Sequence, residues 1–137
     1  MKRIEVKSKE YIIVTLQDEL VLYTKELNKE IAYSIFSTKL EKVGLARNLD
    51  QDLLIKFFAE INPNNIQDSG LIKMNIIGGN ESESSIESLH TLLSQLQTID
   101  NNQDIIDIRS CDSCERLHPN SFELDCYHGG IRGITIL

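Results

Sequence analysis

Residues Leu49 to Gly79 read LDQDLLIKFFAEINPNNIQDSGLIKMNIIGG, and their hydrophobic period changes halfway along. In the first half Leu49, Leu53, Leu54, Phe57, Phe58 and Ile61 share one face of a 3.6-residue repeat, which predicts a helix from about Leu49 to Ile61. Asn48 or Asp50 can cap its start, Asp50 and Asp52 suit the positive end of its dipole, and Asn62-Pro63 stops it. In the second half the polar loop NPNNIQDSG gives way to an unbroken apolar run, Leu71 to Ile77, ending at Gly78-Gly79. That pattern predicts a strand covered on both faces, inside a sheet.

Upstream, three β-branched runs read as strands: Tyr11 to Leu16, Glu19 to Thr24 and Glu30 to Phe36. Gln17-Asp18 joins the first two as a tight connection or a bulge, and the second and third form an expected hairpin across KELNK. Downstream, Ser84 and Glu87 have capping-box spacing and open a second helix with Ile86, Leu89, Leu93 and Leu96 on one stripe. His90 sits beside that stripe as a boundary residue, with no nucleophile or acid near it in sequence to suggest catalysis. Asp104 to Ile108 is a further strand, RSCDSCERLHP a loop, and Ser121 to Tyr127 with Ile131 to Leu137 a closing hairpin turned at His128-Gly129-Gly130. The order β-β-β-α-β-α-β-β-β predicts an α+β domain in which two helices cover a mixed sheet or a pair of sheets.

With 137 residues, the chain is expected to form one domain spanning 1–137. Its 41% apolar and 26% charged residues suit a globular core rather than disorder. A formal net charge of -7 disfavours binding driven by phosphate neutralisation, so nucleic acid and anionic membrane are not expected partners. No apolar run reaches the ~18–20 residues of a membrane span, and the start MKRIEVKSKEY has no signal-peptide core, so the expected location is cytoplasmic.

The element order and several local sequences resemble the chemoreceptor glutamine deamidase (CheD) family. There an opening V-T-L strand leads into a Gly-Ser-Cys turn. A hairpin follows whose second strand ends in an Ala-His pair, then a helix, a strand ending in a K-x-x-G-G-type motif, a second helix and a closing hairpin. Here Val14-Thr15-Leu16 matches the opening strand, residues 49–61 the first helix, Lys73 to Asn80 with Gly78 and Gly79 the glycine motif, and 121–137 the closing hairpin. The resemblance implies a buried Val14-Thr15-Leu16 strand with Gly78-Gly79 near its C-terminal end.

Family members attack a receptor glutamine with a Cys thiolate activated by His, with a Thr orienting the pair. Thr15 takes the position of that Thr. The Cys turn, however, is replaced by Gln17-Asp18-Glu19-Leu20, and near the expected His lie Ser34, Ile35 and Phe36. The resemblance therefore implies a domain that lacks the usual nucleophile and acts on a protein partner, such as a chemoreceptor or signalling protein, by binding it. Asp18 and Glu19 are read as solvated turn residues.

The remaining chemical signal is Cys111-x-x-Cys114-x-x-x-His118, followed by Cys126 and His128. Two thiolates and an imidazole at that spacing could hold Zn²⁺, could form a relocated Cys-His dyad for deamidation, or could be unremarkable loop residues. A redox pair is a weaker reading than a metal site, because Pro119 leaves at best one helical turn to lower a thiol pKa. Cys126 alternates with Phe122 and Leu124 and is expected to be a small core residue, with His128 at a turn. The preferred expectation is no cofactor, with zinc on Cys111, Cys114 and His118 as the alternative.

Overall fold

The computed structural model describes residues 2–114, 120–126 and 130–134. Among them are nine strands and two helices: β1 (Lys2–Glu5), β2 (Glu10–Thr15), β3 (Leu20–Thr24), β4 (Ile31–Ser37), β5 (Lys42–Arg47), α1 (Gln51–Ile61), β6 (Ile72–Gly78), α2 (Glu83–Asp100), β7 (Ile106–Ser113), β8 (Ser121–Asp125) and β9 (Gly130–Ile134). The fold class is α+β, as the periodicities require. One sheet has the order β1-β3-β8-β9 and the other β2-β5-β4-β6-β7. All neighbours are antiparallel except β1 with β3 and β6 with β7.

The five-stranded sheet is the middle of three layers. Along β4, Ile31, Tyr33 and Ile35 pack toward α1 and α2, while Ala32 joins Leu22, Leu27, Val43, Leu45, Ile77 and Leu124 between the sheets. Both faces of β4 and β6 are therefore covered, which is why their sequences show apolar runs in place of polar alternation. On the helical side Phe57 is fully buried and meets Tyr11, Tyr33 and Phe58 edge to face at centroid distances of 5.1, 6.1 and 5.5 Å.

Helix boundaries follow side-chain chemistry. Asp50 caps α1 by accepting the Leu53 N–H at 2.9 Å, and Asn62 ends it, its side chain donating to and accepting from the Ile66 backbone at 2.9 and 3.0 Å. The second helix begins earlier than its sequence suggests. Ser82, not Ser84, caps α2 by accepting the Ser85 N–H, and Ser85 turns inward to donate to the Lys29 carbonyl at 2.8 Å. The inward face consists of Ser85, Leu92 and Leu96, with Leu89 and Leu93 half-buried and Ile86 exposed.

Three expectations about the strands need correction. β3 and β4 are not a hairpin: β3 lies between β1 and β8, β4 lies between β5 and β6, and residues 25–30 carry the chain from one sheet to the other. β1 and β5 were not foreseen, because KRIE and KVGLAR carry too few consecutive β-branched residues to register as strands. The presumed loop 109–119 begins as strand, since β7 continues to Ser113 past a bulge opposite Met74/Asn75. The closing hairpin is present, with Ser121 opposite Ile134 and Asp125 opposite Gly130; its turn at 127–129 lies outside the described residues.

Candidate functional site

Thr15 is exposed at the far end of edge strand β2, opposite Lys42, which in turn faces Ser37. Gly78 pairs with Ile31 at the other end of the sheet, with β4 and β5 between its strand and β2. The expectation that Thr15 lies buried beside Gly78-Gly79 is thus corrected. Three successive antiparallel pairings, β2 on β5, β5 on β4 and β4 on β6, send the C-terminal end of β2 away from the C-terminal end of β6.

Around Gly78 a different set of polar groups converges. The crossing segment 25–30 ends at Glu30, whose carbonyl accepts the Gly79 N–H at 2.8 Å. Glu30 Oε1 receives Arg47 Nε at 2.9 Å and Nη2 at 2.7 Å, and Oε2 receives Asn48 Nδ2 at 2.6 Å and the Ser8 hydroxyl. The Arg47 Nη1 donates to Thr24 Oγ1 at 3.0 Å and to the Lys25 carbonyl at 2.8 Å, and Nη2 donates to the Glu26 carbonyl at 3.2 Å. Thr24 passes the contact on by donating to the Val6 carbonyl at 2.8 Å. Arg47, 9% exposed as a residue, therefore stitches β5 to β3 and to the crossing segment through its guanidinium.

Burial pushes the Glu30 carboxyl upward in pKa. The hydrogen bonds from Ser8 and Arg47, the charge of Arg47 and the bond from Asn48 outweigh that effect and hold it below the ordinary carboxylate value. A carboxylate with donors on both oxygens and a depressed pKa is a poor general base. Its role here is to anchor the crossing segment.

The structure does bring two of the sequence-derived features together. Cys114 donates its backbone N–H to the Gly78 carbonyl at 3.1 Å, and a Cβ on Gly79 would lie 3.2 Å from Cys114 Sγ. Cys111 is exposed on β7, opposite Ile76, and Cys114 is half-buried just beyond the strand. Burial, and secondarily the neighbouring Cys111, push the Cys114 thiol up, so it stays protonated at neutral pH and is a weak nucleophile. Cys126 is fully buried in the core between the sheets, with its backbone bonded to Gln17 and Leu20. His90 is exposed on α2, and His118 and His128 lie outside the described residues.

Among the described residues no group of three His, Cys, Asp or Glu side chains could hold a metal ion. Protein purified without chelator is expected to carry no stoichiometric zinc. Elemental analysis finding about one zinc per chain would reinstate Cys111, Cys114 and His118 as ligands, with a fourth donor still required.

Sequence reasoning missed Glu30, Arg47, Asn48 and Thr24. The available signal was Arg47-Asn48 placed directly ahead of the α1 cap, but a charged residue there reads as a solvated approach to a helix.

By fold and site this is a three-layer α/β/β domain with a buried arginine-carboxylate node at the ends of its central strands. No protein-family model matches the chain. Over 64 residues it is 52% identical to an uncharacterized protein of Rickettsia conorii, a stretch covering 47% of this chain and 85% of that protein, and it belongs to the same family as that protein.

Proposed function

We propose that this chain is a cytoplasmic CheD-like domain, related to the chemoreceptor glutamine deamidases, that works without a cofactor and acts by binding a protein partner rather than by catalysis. The Val14-Thr15-Leu16 match is lost, because Thr15 is exposed and far from Gly78; what supports the reading is a second register of the family's landmarks along the chain. In the family, the hairpin preceding the first helix has a second strand ending in Ala-His. Here the hairpin whose second strand runs into α1 is β4–β5, and it ends in Ala46-Arg47-Asn48.

The turn ahead of that hairpin is then residues 25–30, entered from β3, and not Gln17 to Leu20. Thr24, buried at the end of β3, takes the place first given to Thr15. Gly78-Gly79 lies against the turn, as a glycine motif beside a reaction centre would. In this register too the catalytic groups are missing. KELNKE contains no thiol, and neither Arg47 nor Asn48 can accept and return a proton at neutral pH as an imidazole does.

The observation that carries the conclusion is the Glu30–Arg47 pair, which ties down the turn where a nucleophile would have to be free. Incubation with a chemoreceptor-type glutamine substrate is expected to release no ammonia above background. Release that disappears in Cys111→Ser or Cys114→Ser would overturn the non-catalytic reading in favour of a relocated Cys-His dyad with His118. No helix in the structure is long and apolar enough to cross a membrane, and among the described residues membrane insertion through a helix is not expected.

A further inference from the structure

On the outer face of the central sheet, α1 and α2 run in the same direction with a groove between them. It consists of three consecutive cavities, of about 420, 150 and 500 Å³. The first opens at the α1 N-terminus and shares Gln95 with the second, which shares Ile55, Thr98 and Ile99 with the third at the α1 C-terminus. The groove thus follows the length of α1, whose 11 residues span about 16 Å. Its third cavity is lined by Ile99 and Ile106, both half-buried, over the buried Ile72 and Ile105, and Ile55 lies on its wall with half its surface exposed.

Two further properties suit an occupant. The charged residues among the described lining are Asp50, Glu87 and Asp100, all acidic, while Lys56, the single basic residue of α1, lines none of the three cavities. At the N-terminal end Tyr33 lines the groove, 2% exposed, and its hydroxyl faces the Leu49 backbone without closing a well-formed hydrogen bond. A buried, unsatisfied hydroxyl is destabilising unless a partner group or water reaches it.

We infer that the groove between α1 and α2 receives a basic amphipathic helix of a partner protein, its apolar stripe on Ile55, Ile99 and Ile106 and its Lys or Arg flank against Asp50, Glu87 and Asp100. This inference rests on the partner-binding reading above and names the class of partner. An amphipathic helix lying over the groove can set a periodic apolar stripe on Ile55 and its neighbours, and opposite charge on its flank sets orientation and encounter rate. A second copy of this chain is disfavoured as occupant, because α2 carries Glu83, Glu87 and Asp100 with no Lys or Arg, so two such faces repel. An anionic membrane is repelled for the same reason.

The test uses the full chain and a 14-residue helical peptide with leucine on one stripe and lysine on the other, next to a counterpart with glutamate in place of lysine. Calorimetry and amide chemical-shift mapping are the readouts. The lysine peptide is expected to bind, with shifts centred on Ile55, Gln95 and Thr98, and the glutamate peptide is not. Ile55→Lys and Glu87→Lys alter exposed positions and should leave the melting temperature nearly unchanged while weakening binding roughly tenfold or more. Glu41→Lys, at an exposed turn between β4 and β5, changes net charge as much as Glu87→Lys does and should leave binding intact.

Absence of binding, shifts centred elsewhere, or equal weakening by Glu41→Lys would overturn the inference. The non-catalytic reading would survive any of these outcomes, since it falls only to ammonia release in the deamidation assay.

Discussion

Gly78→Ala should lower the stability of the domain by roughly 3–5 kcal/mol, a large fraction of the ~5–15 kcal/mol typical of a protein this size. Gly78 has φ +91°, a region L side chains rarely adopt, and a Cβ there would sit 2.7 Å from both the Glu30 carbonyl oxygen and Leu27 Cδ1. The backbone strain contributes about 1–3 kcal/mol and the overlap about as much again, because Glu30 is held by Arg47 and Gly79 and cannot swing away. Thermal melting should show a drop of roughly 10 °C or more.

Gly70→Ala is the matched control. Its φ is +67°, but the one close neighbour of a new Cβ is the flexible end of Lys73 at 3.0 Å. That variant should lose only about 1 kcal/mol. Equal losses at the two sites would mean that the crossing segment does not press on β6 as described.

Arg47→Ala is the second large effect, expected at roughly 2–3 kcal/mol. Truncation removes the donors to Thr24, Lys25 and Glu26 and leaves Glu30 without its cation. Breaking a fully buried pair costs about 3–5 kcal/mol, and the figure here is reduced because a quarter of the Glu30 side chain remains in contact with water. The double variant Arg47→Ala/Glu30→Gln should be less destabilised than the two single losses added together, since the second change removes the stranded charge.

The same node predicts a pH dependence. The folded-state pKa of Glu30 is depressed, so its contribution is present above the unfolded-state value and is lost as pH falls through the folded one. Denaturant midpoints measured from pH 6 downward should therefore fall more steeply in the wild type than in Glu30→Gln. Parallel profiles would show that Glu30 gains nothing from its donors.

How much of this was legible in sequence depends on the range of the interactions involved. The spacing of Leu54, Phe57, Phe58 and Ile61 was enough for α1, and Asp50 was one of the two caps expected. The run at residues 71–77 was enough for a doubly covered central strand, and the two-helix α+β class followed. These are local periodicities, set by which face of a helix or strand avoids water, and a linear chain displays them directly.

The partition of strands between two sheets was not displayed, and with it went the location of the site. β3 and β4, separated by six residues, look like a hairpin, yet each finds its partners elsewhere in the chain: β3 with residues 2–5 and 121–125, β4 with residues 42–47 and 72–78. Thr15 and Thr24 are indistinguishable as hydroxyls at the ends of short strands. Only the pairing of those strands leaves Thr15 exposed at one end of the sheet and buries Thr24 against Arg47. By itself, then, the sequence determined the helices, the buried strand and the fold class, while the tertiary structure alone decided that Glu30, Arg47, Asn48 and Gly78 meet. Their hydrogen bonds join residues up to 49 positions apart, Gly79 N–H to the Glu30 carbonyl being the most distant in sequence, and no hydrophobic period encodes them.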